Sequence, residues 1–361
     1  MANTHLPESY TSLTWTGPST PPHLHHSPLP LPSAHEVLIK IYYAAINPVD
    51  IQLWGNPVIG WLAGKKEKGI GNDYSGTVVA VGDAVRGKWH VGDEVFGLFS
   101  RPTGDGTFSE YVRVVPGRDP IARKPKVWSW QEAAAVPLVV LTAFACLDWL
   151  PKMREKEKES RVVVSGASGG TGMWCVQLAK ELYNCHVTGV CSARNAEFVK
   201  RIGADEVIDY TTQDVAKTLL ASRPKGRKYD LYIDCVGGVE MFNHWHEILH
   251  KNGSYVTIVG DKTSRTAMGG PITYFTYPLQ VLRFLRGYVS GPRYANVLFY
   301  AQTPLLEQVA QLGEEGKVEV VVQEIVKGVL EEGRSEEAWA KLQGVMEEGR
   351  VRGKVIVEIA H

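Results

Sequence analysis

The chain has 361 residues, 44% hydrophobic and 22% charged, which is enough apolar side chain for more than one buried core and too much for a disordered polymer. Its 39 basic and 39 acidic side chains cancel, so no net positive field is available to hold a phosphate backbone or an anionic lipid surface. Nucleic acid and membrane are therefore not expected partners, and no stretch reaches the roughly 18 continuous apolar residues of a span.

Five cysteines, Cys146, Cys175, Cys185, Cys191 and Cys235, form no C-x-x-C pair and are odd in number, which argues against a disulfide framework or a structural zinc knuckle. Between Met1 and His35 there is neither Lys nor Arg, so the charged start of a secretory signal and an Arg-rich presequence are both missing. A cytoplasmic location is the expectation.

The opening, Met1 to Pro32, is rich in Pro, Ser, Thr and His and predicts loop with one short strand near Tyr10 to Trp15. His23, His25 and His26 read there as solvated loop polarity, since no acidic or Cys partner lies close in sequence. From Glu36 the alternation of Glu36–Tyr43, Tyr74–Val81, Gly92–Gly97 and Phe108–Val114, with Gly-Asp turns at Gly82 and Gly92, predicts a β domain. Gln131 to Leu150 reads as helix, and the mixed-charge run Arg154–Glu159 as a solvated connection that marks a boundary.

Beyond the boundary, strands and helices alternate strictly. Strands are expected at Arg161–Ser165, His186–Cys191, Glu206–Tyr210, Tyr229–Val236 and Ser254–Gly260, and helices at Met173–Leu182, Ala196–Ile202 and Val215–Leu220. Apolar strands separated by helices belong to a parallel sheet covered on both faces, a doubly wound α/β domain. A helix at Glu336–Leu342 and a strand at Gly353–Ile359 close the chain, and that strand is expected to return to the β domain.

Gly166-Ala-Ser-Gly-Gly-Thr-Gly172 places G-x-x-G-x-x-G directly after a strand and before a helix. The glycines permit a tight turn and let backbone amides approach a pyrophosphate, whose charge meets the helix N-terminus. At the end of the second strand, an NAD site usually carries Asp or Glu for the ribose hydroxyls. This chain has Cys191-Ser192-Ala193-Arg194, where Arg194 can neutralise a 2′-phosphate and Ser192 can donate to it, so NADP(H) is the expected cofactor.

Two motifs compete. Gly166-Ala-Ser168-Gly-Gly170 also spells G-x-S-x-G, the nucleophile elbow of a serine hydrolase, although no His-Gly-Gly oxyanion motif precedes it. His246-Glu-Ile-Leu-His250 spells H-E-x-x-H, but within a region where a sheet-covering helix is expected. Asn252-Gly-Ser254 has the form of a glycosylation sequon and reads instead as a helix-to-strand turn.

Along nearly its whole length the chain resembles the medium-chain dehydrogenase/reductase superfamily, in the zinc-free quinone oxidoreductase branch. The closest likeness is to reticulon-interacting-type NADPH quinone reductases and fungal enoyl reductases. The matching segments include Ala44–Asp50, Gly71–Gly76, Val91–Gly97, Gly106–Val112, Ala133–Leu138, the glycine loop, Gly203–Tyr210, Asp234–Gly238 and Gly349–Val355. The resemblance implies a GroES-like β domain, residues 1–136 completed by 320–361, and a Rossmann domain over 137–319.

Carried over by position, the resemblance puts phosphates on Gly166, Ser168, Gly169, Gly170, Thr171 and Gly172, and the 2′-phosphate on Ser192, Arg194 and Tyr210. Cys235 and Gly237, with Val259 and Gly260, then flank the nicotinamide half, Leu298 and Phe299 line the cleft, and Arg352 with Lys354 close it. Arg350 stands where the family often has His.

Zinc alcohol dehydrogenases place Cys where this chain has Ile46-Asn47 and His-Glu where it has Asn72-Asp73. Without a Lewis acid, hydride addition to a conjugated acceptor is easier than alcohol oxidation, because a quinone or enone spreads the incoming charge over its own oxygen. The implied activity is reduction of a quinone, enone or enoyl thioester. Asn47, Tyr43 and Tyr74 are the candidate donors to that oxygen, with solvent as the other proton source. A protein that binds NADPH for regulation or partner recognition without turnover is the alternative, and a homodimer is compatible with the family.

Overall fold

The structure is a computed structural model that describes residues 6–62, 66–101, 104–151, 159–223, 226–262 and 264–360. Arg154 to Lys158 of the mixed-charge run lie outside the described residues. The chain divides into two compact units, 1–138 with 265–267 and 301–361, and 139–264 with 268–300.

The first unit opens with β1 (Ser9–Trp15), β2 (His23–Pro28) and β3 (Val37–Ala45), followed by α1 (Pro48–Trp54) and α2 (Pro57–Leu62). Strands β4 (Lys68–Gly69), β5 (Asp73–Val81), β6 (Glu94–Leu98), β7 (Tyr111–Val114) and β8 (Ile121–Arg123) follow. The expected loop at His23–Pro28 is a strand: β2 pairs antiparallel with β1, and its ladder satisfies backbone groups that a free loop would leave to water.

The helix expected over Gln131–Leu150 is two, α3 (Trp130–Ala134) and α4 (Pro137–Leu147). Pro137 has no N–H to continue a helix and starts a new one, while Ser129 caps α3 by accepting from the Glu132 amide at 3.2 Å.

The second unit contains β9 (Arg161–Ser165), α5 (Gly170–Glu181), β10 (His186–Cys191), α6 (Ala196–Arg201), β11 (Glu206–Asp209) and α7 (Val215–Ala221). It continues through β12 (Tyr229–Asp234), α8 (Trp245–Ile248), β13 (Leu249–Thr257), α9 (Thr273–Thr276), α10 (Leu279–Ser290) and β14 (Arg293–Asn296). All six strands are parallel, in the order β11-β10-β9-β12-β13-β14. The order reverses between β9 and β12, and at such a switch point the loops leaving the two strands diverge to opposite faces and leave a crevice for a ligand. Tyr232, Tyr255 and Tyr294 are register partners on β12, β13 and β14, and their rings stack at 4.9 and 5.9 Å, a ladder that holds this half of the sheet.

Two local expectations change here. Helix α8 stops at Ile248 and His250 lies on β13, so His246 and His250 do not share a helical face as a zinc peptidase motif requires. Asn252-Gly253-Ser254 is not a helix-to-strand turn: it lies within β13, where the register against β12 shifts after Leu249 and resumes at Ser254.

The chain then returns to the first unit with α11 (Thr303–Glu314), β15 (Val322–Val326), α12 (Ser335–Glu348) and β16 (Lys354–Glu358). As expected, the last strand joins the β unit: β16 lies between β15 and β3 in the order β15-β16-β3-β5-β6-β8, with β7 also on β3. Helix α11 belongs to this unit as well, whereas the sequence reading ran the Rossmann part to residue 319. Thr303 accepts from the Ile121 amide at 3.3 Å, and Gly313 leaves room for the Trp128 ring, which a Cβ would overlap.

Candidate functional site

In the second unit, the buried strand Val162–Val164 delivers the chain into the glycine loop. Gly166 sits at φ +75°, and a Cβ there would press on Val236 and Cys235. A Cβ at Gly172 would collide with the Gly166 carbonyl. The Gly166 and Ala167 amides are spent on Val190 O, both at 3.1 Å, and Gly169 donates to Gly166 O at 3.0 Å. Gly169 is the N-cap of α5 and, being glycine, offers the helix no side-chain cap. The backbone is thus bare where the first-turn amides of Gly170, Thr171 and Gly172 emerge, a cradle that fits a pyrophosphate.

Ser168, the candidate hydrolase nucleophile, is half-buried, and its Oγ accepts from Asn195 Nδ2 at 3.0 Å. An amide nitrogen has no basic lone pair, so this partner cannot take the hydroxyl proton as a general base would.

Asn195 belongs to the turn after β10, which presents Ser192 half-buried and Arg194 exposed. Tyr210, 59% exposed, begins the neighbouring turn after β11, and its amide donates to Cys191 O at 3.3 Å. The structure therefore brings Ser192, Arg194 and Tyr210 to adjacent strand ends. Asp209, which sequence reasoning passed over, lies between them and accepts from the Ala193 amide at 3.1 Å.

On the other side of β9, Asp234 ends β12 and is 3% exposed. Its Oδ1 accepts from the Val236 and Gly237 amides at 3.0 and 2.9 Å, and its Oδ2 from Thr257 Oγ1 at 2.9 Å. The Thr257 oxygen in turn accepts from the Val259 and Gly260 amides at 3.1 and 2.9 Å. One buried acid and one hydroxyl thus set both turns, Cys235–Gly237 and Val259–Gly260, although burial pushes the Asp234 carboxyl up. Leu298 is 60% exposed beside Gly270, and Phe299 follows it half-buried.

The first unit holds the candidate donors, and other protein groups engage two of the three, Tyr43 and Asn47. Tyr74 is fully buried in the apolar core; among the described residues its hydroxyl has no hydrogen-bond partner, and burial pushes it well up. The Tyr43 hydroxyl donates to Glu358 at 3.3 Å, and burial with that carboxylate pushes it up.

Asn47 is 1% exposed and lies in a closed polar cluster. Its Nδ2 donates to Asp73 Oδ2 at 2.9 Å, and its Oδ1 accepts from the Lys354 ammonium at 2.5 Å. Lys354 also donates to Ile46 O at 3.0 Å and pairs with Asp73 at 3.4 Å, so its charge is directed into the protein core. This inward pairing differs from the cofactor contact that the resemblance implies. Arg352, two residues earlier, is exposed, and its amide donates to Gln323 Oε1.

Asp50 and Asn72 complete the cluster. Asp50 accepts from the Asn47 amide at 2.7 Å and from Asn72 Nδ2 at 2.5 Å, while the Leu138 amide donates to Asp73 at 2.7 Å. Two buried carboxylates face one ammonium, and burial raises the Asp50 carboxyl to about 7. Asn47 with an acid three residues on, at the head of a helix, was the sequence signal for Asp50. The inward pairing of Lys354 gave none, because its partner Asp73 is 281 residues away.

Residues 33–126 match the family described as alcohol dehydrogenase GroES-like domain, and residues 202–357 the one described as zinc-binding dehydrogenase. A chloroplast envelope quinone oxidoreductase homolog of Arabidopsis thaliana is 33% identical over 92% of this chain and 92% of its own length. The mitochondrial NAD(P)H oxidoreductase RTN4IP1 of Bos taurus is 30% identical over 90% of this chain and 82% of its own. The solved quinone oxidoreductase of Coxiella burnetii superposes with a TM-score of 0.76 at 25% identity, covering 98% of this chain and 100% of that one. With its glycine loop, parallel sheet and likeness to such relatives along almost all of its length, the chain is an oxidoreductase of the medium-chain dehydrogenase/reductase superfamily, in the quinone oxidoreductase branch.

Proposed function

We propose that the protein is an NADPH-preferring, zinc-independent reductase of conjugated acceptors: quinones, enones or enoyl thioesters. The observation that carries the cofactor choice is the turn after β10, where Ser192 and Arg194 occupy the strand end at which an NAD site would carry an acid. When bound, NADPH supplies the hydride.

The chain's own residues bind and orient. The first-turn amides of α5 hold the pyrophosphate, Arg194 and Ser192 the 2′-phosphate, and the turns braced by Asp234 and Thr257 fix the nicotinamide half. Asn47 stands where a zinc dehydrogenase has Cys, and its amide is held on both sides by Asp73 and Lys354. With Tyr43, Asn47 and Tyr74 all engaged or buried, solvent supplies the proton that follows hydride addition. Tyr43→Phe is accordingly expected to keep at least about half of kcat.

The names of the similar quinone oxidoreductases favour a quinone among the three acceptor classes. Rapid-mixing measurement of NADPH oxidation against quinones, enones and enoyl thioesters tests this. Turnover with none of the three, or an undiminished rate with NADH in place of NADPH, would overturn it.

We also propose a homodimer. Strand β14 is the edge of its sheet, and α10 beside it exposes Leu279, Leu282, Leu285 and Val289, an apolar row that a second copy would cover. Light scattering that reports a monomer at micromolar concentration would refute this.

A further inference from the structure

We propose that Asp209 is a positioning residue for cofactor choice: it clamps the turn that carries Ser192 and Arg194 without touching the cofactor itself. The proposal rests on the reading that this turn receives the 2′-phosphate of NADPH.

Asp209 is the last residue of β11 and the register partner of Cys191, the last residue of β10. Its Oδ1 accepts from the Ala193 amide at 3.1 Å, the Thr211 amide at 3.0 Å and the Thr211 hydroxyl at 2.7 Å. Its Oδ2 accepts from the Thr212 hydroxyl at 2.9 Å. Its own amide donates to Gln213 Oε1 at 2.9 Å, and its carbonyl accepts from the Thr212 and Gln213 amides. The turn after β11 is therefore wound around this one residue, and the Ala193 contact fastens the turn after β10 to it. Asn195 continues the chain of contacts: its amide closes the turn on Ser192 O at 2.9 Å, and its side chain reaches Ser168 of the glycine loop.

The chemistry explains how an acid is tolerated beside a phosphate site. A carboxylate whose lone pairs point at a ribose rejects a 2′-phosphate by repulsion. Here four donors converge on the carboxylate from inside the two turns, the Thr211 hydroxyl foremost, and hold it below its usual range, ionised and already coordinated. Its charge is spent on making the two turns one rigid platform. Ala193 sits between Ser192 and Arg194, so fixing its amide fixes the direction in which both neighbours leave the backbone.

The test compares KM and kcat for NADPH and NADH in the wild type, Asp209→Ala and Asp209→Asn. Asp209→Ala frees the Ala193 amide and is expected to raise KM for NADPH about fivefold or more, with KM for NADH changed less than about twofold and both kcat values retained. Asp209→Asn keeps a carbonyl oxygen for the Ala193 and Thr211 amides and is expected to restore KM for NADPH to within about twofold of wild type. An equal rise for both cofactors, no change, or tighter NADPH binding in Asp209→Ala would overturn the proposal, the last because it would make Asp209 a source of repulsion. If Asp209→Ala does not fold, Asp209→Asn decides: a selective loss of NADPH beyond about twofold refutes the positioning role, since its geometry is kept. A wild type without preference for NADPH defeats the cofactor reading alone, because the differential response of the variants is still measured.

Discussion

At the scale of single residues, Arg194 and Asp50 make opposite use of charge. Arg194 is exposed, so its removal should cost the fold little. Arg194→Ala is expected to raise KM for NADPH roughly ten- to a hundredfold and leave NADH kinetics nearly unchanged, which steady-state assays with the two cofactors will show. Asp50 is buried, with a folded pKa of about 7 against an ordinary 3.8. The folded value lies above the unfolded one, so the native state binds more protons between pH 4 and pH 7, and stability falls as pH rises through that window. The full penalty, on the order of 4 kcal/mol, is present above pH 7 and absent below pH 4. Thermal melts should therefore show a smaller loss between pH 5 and pH 8 for Asp50→Asn than for the wild type, even though the variant starts lower through its disturbed contacts with Asn47 and Asn72.

At the scale of elements, β16 is pinned to the head of α1 and to β5 by one ammonium. Lys354→Met leaves Asp73 ionisable and buried with only neutral donors, and chemical denaturation should show a loss of about 3–5 kcal/mol. Adding Asp73→Asn removes the stranded charge and should recover most of that loss. The elements also show what a sequence displays. The glycine loop was legible because Gly166 and Gly172 have steric tasks that no other residue performs, and the β–α alternation because strands buried on both faces need long apolar runs. Strand β2 was not, since His-Leu-His-His-Ser-Pro carries no alternation of apolar and polar residues and owes its conformation to pairing with β1. The roles of Tyr43, Asn47 and Tyr74 were hidden for a related reason. Pattern reveals which residue types lie on a strand, and only the packed unit decides that Tyr74 faces the core and that Asn47 meets a lysine from the far end of the chain.

At the scale of the whole molecule, the strand order β15-β16-β3 seats the last strand of the chain beside an early one, after the whole second unit has intervened. The second unit has its own core, built on the Tyr232, Tyr255 and Tyr294 ladder with Trp245 and Leu249. In the first, Trp339 and Leu342 of α12 and Val355 and Val357 of β16 share a core with Leu13, Trp15 and Trp54. A chain ending at residue 319 is therefore expected to resist limited proteolysis over 160–300 and to be cut within 6–138, and equal protection of both regions would refute this. On the ribosome the same topology sets a timetable: the nucleotide-binding half can close as soon as it emerges, while the N-terminal half, translated first, waits with its apolar face open until the final strand arrives. During that interval the first unit is the part most in need of a chaperone.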